Sequence, residues 1–174
     1  MRTLIKIFTL PLVVVTGSNG KTTVKEMIAA IFSTAVGKEA TLVTPGNLNN
    51  DIGLPLTVLR LREYHRLAVI ELGMNHPGET AYLTKIAKPT IALINNAQRE
   101  HQEFMETVDA VAREHADAIA SLPADGVAVF PADTAFSAEW RKKASGRRSI
   151  DFALNGPAAV SGTLLKNGTL EIKT

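Results

Sequence analysis

The 174-residue sequence contains no cysteine. That excludes a disulfide scaffold, a zinc–thiolate site and a cysteine nucleophile, and it fits a reducing compartment. Excess charge of either sign is also scarce. The 19 Lys and Arg residues nearly balance 17 Asp and Glu, leaving a formal net charge of +2, too weak a field to argue for a nucleic-acid or membrane surface. Arg141, Lys142, Lys143, Arg147 and Arg148 gather around a Ser-Gly break. They read as a solvated helix end and turn, because no aromatic side chain lies between them to stack on bases. No apolar run reaches the length of a membrane span. Arg2 and Lys6 precede an apolar run from Ile7 to Val15 that looks leader-like, but Pro11 interrupts it and no small-residue cleavage pattern follows. The expectation is a cytoplasmic protein without a membrane span.

What is present points to one packed unit. The chain is 45% hydrophobic, and at this length a single core can bury roughly 70% of the surface exposed by the unfolded chain. There is no internal repeat, low-complexity tract or long Pro/Gly/Ser linker. Short β-branched runs at 12–16, 40–43, 67–72, 90–94 and 127–130 are almost continuously apolar, as in parallel strands covered on both faces, and the segments between them are long enough for crossover helices. The fold class expected is α/β, a mostly parallel sheet flanked by helices.

In the first helix Val24, Met27, Ile28, Ile31 and Phe32 fall on one stripe, which predicts packing on the sheet with Lys25 and Glu26 on the polar face. A later helix is predicted to start at Thr107 as N-cap, with Val108, Val111, Ala112, Ala118, Ile119 and Leu122 apolar and His115 on the same stripe. Near the end, 158–165 and 169–174 flank Lys166-Asn167-Gly168, a strong antiparallel hairpin signal.

The segment Val13-Val14-Val15-Thr16-Gly17-Ser18-Asn19-Gly20-Lys21-Thr22-Thr23 reads as strand, glycine turn and helix start, a phosphate-binding loop. Gly17 and Gly20 let the backbone turn tightly and aim N–H groups at phosphate oxygens, at the positive end of the next helix. Lys21 is placed to reach the β and γ phosphates, and the Thr22 hydroxyl to ligate Mg²⁺. The spacing is G-x-x-G-K-T, with Val15 where a longer loop would carry its first glycine, so a plain kinase or GTPase loop is disfavoured.

Glu71 ends the apolar run from Leu67, which puts a carboxylate at the carboxyl edge of a strand, where open parallel sheets bind ligands and where Mg²⁺ needs one or two such groups. Asn95, Asn96 and His101 follow another strand and project at the same edge, and His101 is a candidate metal ligand or acid–base group. His65 and His76 are read as ordinary surface histidines. The loop 44–53, rich in Asn and Gly, is by itself only a polar turn.

The loop, Glu71, Asn96 and His101 together resemble the central ATPase domain of the Mur ligases, which build the peptidoglycan stem peptide. Thr44-Pro45-Gly46-Asn47-Leu48-Asn49-Asn50-Asp51-Ile52-Gly53 and Glu71-Leu72-Gly73-Met74-Asn75-His76-Pro77-Gly78-Glu79 look like the branch that adds D-alanyl-D-alanine. The resemblance covers 10–174. It implies that Gly17, Ser18, Asn19, Gly20, Lys21, Thr22, Thr23 and Asn96 bind ATP, and that Thr22 and Glu71 hold one Mg²⁺ while His101 helps hold a second. The implied reaction passes the γ-phosphate to the terminal carboxylate of UDP-MurNAc-tripeptide, and the acyl phosphate is then attacked by the amine of D-Ala-D-Ala. Lys21, Glu71 and His101 are the implied catalytic set, and Thr44, Asn49 and Asn50 the implied substrate contacts.

Two departures stand out. Many family members carry a carbamylated lysine where this sequence has His115, and an imidazole cannot become a carbamate; His115 either supports a metal or is a packed helix residue. The family also has flanking domains for the uridine nucleotide and for the amine, together with a downstream H-N-x-x-N segment. Residues 1–174 are therefore expected to be a single excised central domain. Rival readings are another acid–amine ligase of the superfamily, such as folylpolyglutamate synthetase, and a nucleotide-binding regulatory module without catalysis.

Overall fold

The computed structural model describes residues 10–100, 103–154 and 156–174. His101 and the first part of the leader-like stretch, 1–9, lie outside the described residues. The order of elements is β1 (Leu12–Thr16), α1 (Lys21–Val36), β2 (Thr41–Val43), α2 (Gly53–Val58), β3 (Leu67–Glu71), α3 (Glu79–Ala87), β4 (Ile91–Ile94), α4 (Val108–Ala120), β5 (Val127–Pro131), α5 (Ser137–Lys143), β6 (Arg148–Leu154), β7 (Val160–Leu164) and β8 (Leu170–Lys173). They build one sheet in the order β2-β3-β1-β4-β5-β6-β7-β8, parallel throughout except for the antiparallel β7–β8 pair. No described helix is long and apolar enough to cross a membrane.

The strands expected from apolar runs are all present, and the hairpin falls at Lys166-Asn167-Gly168. The strand β6 was not anticipated. Its ends are exposed and its middle residues only half-buried, so charged and polar residues (Arg148, Ser149, Asp151) interrupt the continuous apolar run that marks a central strand. Two of the clustered cations, both in α5, tie that helix to its neighbours: Arg141 pairs with Asp151 of β6 at 2.6 Å, and Lys143 lies 3.4 Å from Asp117 of α4. The Arg147 guanidinium donates to the carbonyls of Ala120, Leu122 and Pro123, closing the end of α4.

Because strand side chains alternate, β1 serves two cores. Val13 and Val15 pack with Val69 against α1, while Leu12 and Val14 face a larger cluster built with α2, α3, α4 and α5. Trp140 of α5 is fully buried there, and its indole N–H donates to the Ala112 carbonyl at 3.0 Å. Thr107 caps α4 as expected, its side chain accepting from the Ala110 N–H. A carboxylate from α4, Glu114, caps α3 by accepting from the N–H groups of Gly78 and Thr80.

The first helix corrects the expected stripe. Met27 and Ile31 are 63% and 65% exposed, whereas Lys25 is completely buried. The residues facing the sheet are Val24, Ile28, Ala29 and Phe32. A row at i, i+4 and i+8 suffices to cover this narrow part of the sheet, which leaves Met27 and Ile31 outside. Lys25 tolerates burial because its ammonium group finds acceptors, the carbonyls of Thr44 (3.1 Å) and Gly46 (2.8 Å), along with the Glu26 carboxylate at 2.8 Å.

This arrangement is testable by denaturant unfolding. Lys25→Ala is expected to cost about 3 kcal/mol, since it orphans buried acceptors, and Ile31→Gln to change stability by about 0.5 kcal/mol or less. A large loss at Ile31 would restore the original stripe.

Candidate functional site

Strand β1 lies between β3 and β4; the connection leaving β1 runs through α1 on one face toward β2, and the one leaving β3 runs through α3 on the other face toward β4. In open parallel sheets, this reversal opens a crevice beyond the carboxyl ends of the strands. The glycine loop sits there. Gly17 has φ 133° and Gly20 φ 76°, both in the region that side chains rarely adopt. A Cβ on Gly17 would lie 3.0 Å from the Asn96 backbone N and O, so the absent side chain is what lets the segment after β4 approach.

That segment clamps the loop. The Ser18 N–H donates to the Asn96 carbonyl at 3.2 Å, and the Asn19 N–H to Asn96 Oδ1 at 2.9 Å. The side-chain amides of Asn95 and Asn96 both donate to the Asn19 carbonyl, at 2.6 and 2.9 Å. Gln98 completes the clamp, its N–H donating to Ser18 Oγ and its side chain accepting from Asn19 Nδ2. Asn96, expected as a nucleotide contact, thus acts on the loop itself.

Lys21 opens α1 and curls back, its ammonium donating to the carbonyls of Gly17 (2.6 Å) and Ser18 (3.2 Å). Thr22 and Thr23 are exposed on the first turn. Glu71 stands opposite Val15 in the adjacent strand and is 1% exposed. One carboxylate oxygen accepts from Asn49 Nδ2 at 2.7 Å; the other, Oε2, has no hydrogen-bond partner among the described residues and lies 3.9 Å from the Lys25 ammonium.

The three expected substrate contacts are all engaged within the protein. The buried Thr44 hydroxyl accepts from the Glu71 N–H, Asn49 orients the Glu71 carboxylate, and Asn50 Oδ1 accepts from the N–H of Gly53 at the start of α2. The loop 44–53 therefore supports Glu71 from below. His65 and His76 close local turns, His65 Nδ1 accepting from the Arg62 N–H and His76 pairing with Glu79 at 2.9 Å. Burial lowers the His65 pKa despite that backbone contact.

Sequence reasoning missed a line of polar groups behind the loop. Thr16 Oγ1 lies 2.9 Å from His115 Nδ1, His115 Nε2 lies 3.0 Å from Glu100 Oε1, and Glu100 Oε2 lies 3.8 Å from the Lys21 ammonium. His115 is 1% exposed. Burial pushes the Glu100 carboxyl up, but the His115 ring, the Lys21 ammonium and the Ser18 hydroxyl pull harder and leave it below the usual carboxylate range. Sequence alone offered one hint, the position of Glu100 shortly after the segment that follows a central strand. Lys25 offered none, since an isolated helix lysine normally faces solvent.

A groove of about 590 Å³ lies at the other edge of the sheet, between Thr90 and the end of α4. It contains neither the loop nor Glu71. A second groove of about 480 Å³ borders Asn95–Gln98 and runs along Phe152, Leu154 and Ile172. The chemistry-bearing residues accordingly converge at the carboxyl edge, on the side where the chain reverses direction.

Comparison with known proteins agrees with this geometry. The description of the Mur ligase middle domain matches residues 15–171. The UDP-N-acetylmuramoyl-tripeptide–D-alanyl-D-alanine ligase of Haemophilus influenzae is 61% identical over 92 residues, 52% of this chain and 20% of that protein. A crystal structure of MurF from Acinetobacter baumannii superposes with a TM-score of 0.85 at 37% identity, over 92% of this chain and 34% of that one. MurF ligase from Thermotoga maritima, in complex with ADP, gives a TM-score of 0.81 at 29% identity, over 93% of this chain and 36% of that one. The chain thus spans between a fifth and about a third of the length of these relatives.

Clash and backbone strain at the loop can be separated. Gly146 also has a positive φ, 81°, but open space around it, so Gly146→Ala is expected to cost about 1 kcal/mol. Gly17→Ala should cost more, and it should speed hydrogen exchange of the Ser18 and Asn19 amides by breaking the clamp. Equal costs with unchanged exchange would show that the close approach is unimportant.

Proposed function

The chain belongs to the Mur ligase family by its middle domain, and from that premise we propose that it is the ATP-binding core of a ligase joining D-alanyl-D-alanine to UDP-MurNAc-tripeptide in peptidoglycan precursor synthesis. The observation that carries this reading is the clamped glycine loop, with Lys21 at the head of a 16-residue helix and Glu71 one strand away, bearing a buried oxygen without a hydrogen bond.

The residues fit a Mg²⁺ ion bound together with phosphates. They offer hard oxygen donors, the unpartnered Glu71 Oε2 and the exposed Thr22 hydroxyl, and Mg²⁺ typically takes one or two protein oxygens while phosphates and water fill the rest. Among the described residues no three His, Asp or Glu side chains cluster tightly enough to hold a metal without such help. Bound there, Mg²⁺ would supply positive charge to the transferred phosphoryl group. His101 is kept as a contributor to a second metal on family resemblance alone.

Lys21 would exchange its contacts with the Gly17 and Ser18 carbonyls for phosphate oxygens, which gain from the positive end of α1. A carboxylate oxygen of the tripeptide attacks the γ-phosphorus and ADP leaves. The amine of D-Ala-D-Ala then attacks the acyl carbon, phosphate departs and the amine loses its proton, which leaves the new amide. A carboxylate is a poor electrophile until one oxygen becomes a good leaving group, so the first step makes the second possible.

We assign residues 1–174 to the central domain and locate the gripping of the muropeptide and of the amine outside this stretch. The setting is cytoplasmic and the partners are small molecules. A regulatory nucleotide-binding module would need no carboxylate beside the loop, and Glu71 favours the ligase over that rival.

Two measurements test this reading. Lys21→Ala is expected to weaken Mg-ATP binding by about 1.5–3 kcal/mol, the usual worth of a charge-assisted contact; equal affinities in matched-salt calorimetry would remove the lysine from the site. Residues 1–174 alone, given ATP, Mg²⁺ and both substrates, should yield no pentapeptide product by mass spectrometry, because positioning of the reactants supplies roughly 7–11 kcal/mol of such a barrier. Robust turnover abolished by Lys21→Ala would place both substrate sites within this stretch.

A further inference from the structure

We infer that Glu100, aimed by His115, is a further cation ligand of the nucleotide site, flanking the phosphate loop on the β4 side as Glu71 flanks it on the β3 side. The inference deepens the ligase reading and rests on it.

Three observations carry it. First, the ring of His115 is buried and its orientation is fixed. Thr16, the last residue of β1, is fully buried, and its hydroxyl lies 2.9 Å from Nδ1. With that hydroxyl donating to Nδ1, the ring proton resides on Nε2, the nitrogen that lies 3.0 Å from Glu100 Oε1. The opposite tautomer would set a bare nitrogen against a carboxylate oxygen.

Second, the contact is close but not aligned as a hydrogen bond, so Glu100 Oε1 and His115 Nε2 are both buried without a hydrogen-bond partner among the described residues. The other oxygen of Glu100 faces Lys21 only at 3.8 Å. Glu100 therefore keeps an unused buried acceptor at Oε1, which buried polar groups rarely retain unless a further ligand uses it.

Third, its position matters. Lys21 is the cation aimed at the phosphates, and a carboxylate fixed beside it would repel an arriving triphosphate. A divalent cation between the two removes that conflict, and carboxylate and phosphate oxygens are the donors such an ion takes. If Glu100 served only to neutralise Lys21, it would weaken nucleotide binding with or without metal.

His115 is then a positioning residue. In the family resemblance this position carries a lysine that must take up CO₂ to present a carboxylate. Here the imidazole holds a carboxylate already present in the chain, so the site should not depend on CO₂.

The test uses the 174-residue chain, ADP as the probe and calorimetry in the presence of Mg²⁺ or of EDTA, with Mn²⁺ electron paramagnetic resonance as a direct count of bound cation. Glu100→Gln is expected to lose at least about tenfold of the metal-dependent gain in ADP affinity, with affinity in EDTA unchanged or higher. Loss of an orienting partner typically costs 10–100-fold in metal affinity, so His115→Gln should reduce Mn²⁺ binding about tenfold, and the double variant should be no worse than Glu100→Gln. Glu100→Asp, which keeps the charge, should recover part of the Mn²⁺ signal. Stripping bicarbonate should leave the wild type unaffected.

An undiminished metal-dependent gain in Glu100→Gln would overturn the inference, as would equal losses with and without metal or a bicarbonate requirement in the wild type. Metal-independent ADP binding by the wild type would overturn this inference alone. No ADP binding under either condition would instead bring down the nucleotide-site reading, and this inference with it.

Discussion

The glycine loop is held in shape by groups it does not itself contain. Its amide and carbonyl groups at Ser18 and Asn19 are fixed by Asn95, Asn96 and Gln98, almost eighty residues further along the chain. The contact exists only because Gly17 has no side chain and adopts a backbone angle that few other residues tolerate. Strand pairing makes it possible: β1 and β4 run parallel in register, Thr16 beside Ile94, so the two chain ends leave the sheet at the same height. A local motif is thereby turned into a rigid cradle, and a rigid cradle loses little entropy when an anion arrives.

Charge around the cradle is arranged in two opposed pairs. On one flank the buried Lys25 faces Glu71, and on the other Lys21 faces Glu100. Neither pair is a close, fully satisfied ion pair, and each leaves carboxylate oxygen unpaired by hydrogen bonds. Buried charge in this condition is costly for stability alone. It becomes sensible where phosphate and a divalent ion share the space, because each unused acceptor is then a ligand position. The supporting residues extend the same logic outward: Asn49 and Thr44 hold Glu71, and Thr16 acts through His115 on Glu100.

The sheet and the loop were legible in the sequence because they rest on local signals. Apolar runs mark strands buried on both faces, and a glycine turn between strand and helix marks a tight loop at the carboxyl edge of the sheet. The errors arose where a residue's environment is set by distant chain. Lys25 reads as solvated from its helix, yet the carbonyls of Thr44 and Gly46 make it a buried bracket. The roles of Thr44, Asn49 and Asn50 within the fold, holding Glu71 and the start of α2, were likewise not legible, because their partners lie outside the motif. Glu100 was missed for the same reason, since its position after a central strand gains meaning only from a histidine in the middle of α4. The strand β6 was missed because a half-buried strand near a sheet edge carries mixed polarity.

The central claim is that phosphates bind at the clamped loop on the carboxyl edge, between the two carboxylates. Backbone amide chemical shifts recorded while ADP and Mg²⁺ are titrated into the chain test it most directly. The expected result is a set of large shifts confined to Gly17–Thr23, Asn95–Glu100 and the end of β3 at Glu71. Shifts centred instead on the groove at the opposite edge, around Lys85, Lys88 and Ser121, with the loop unmoved, would contradict the account.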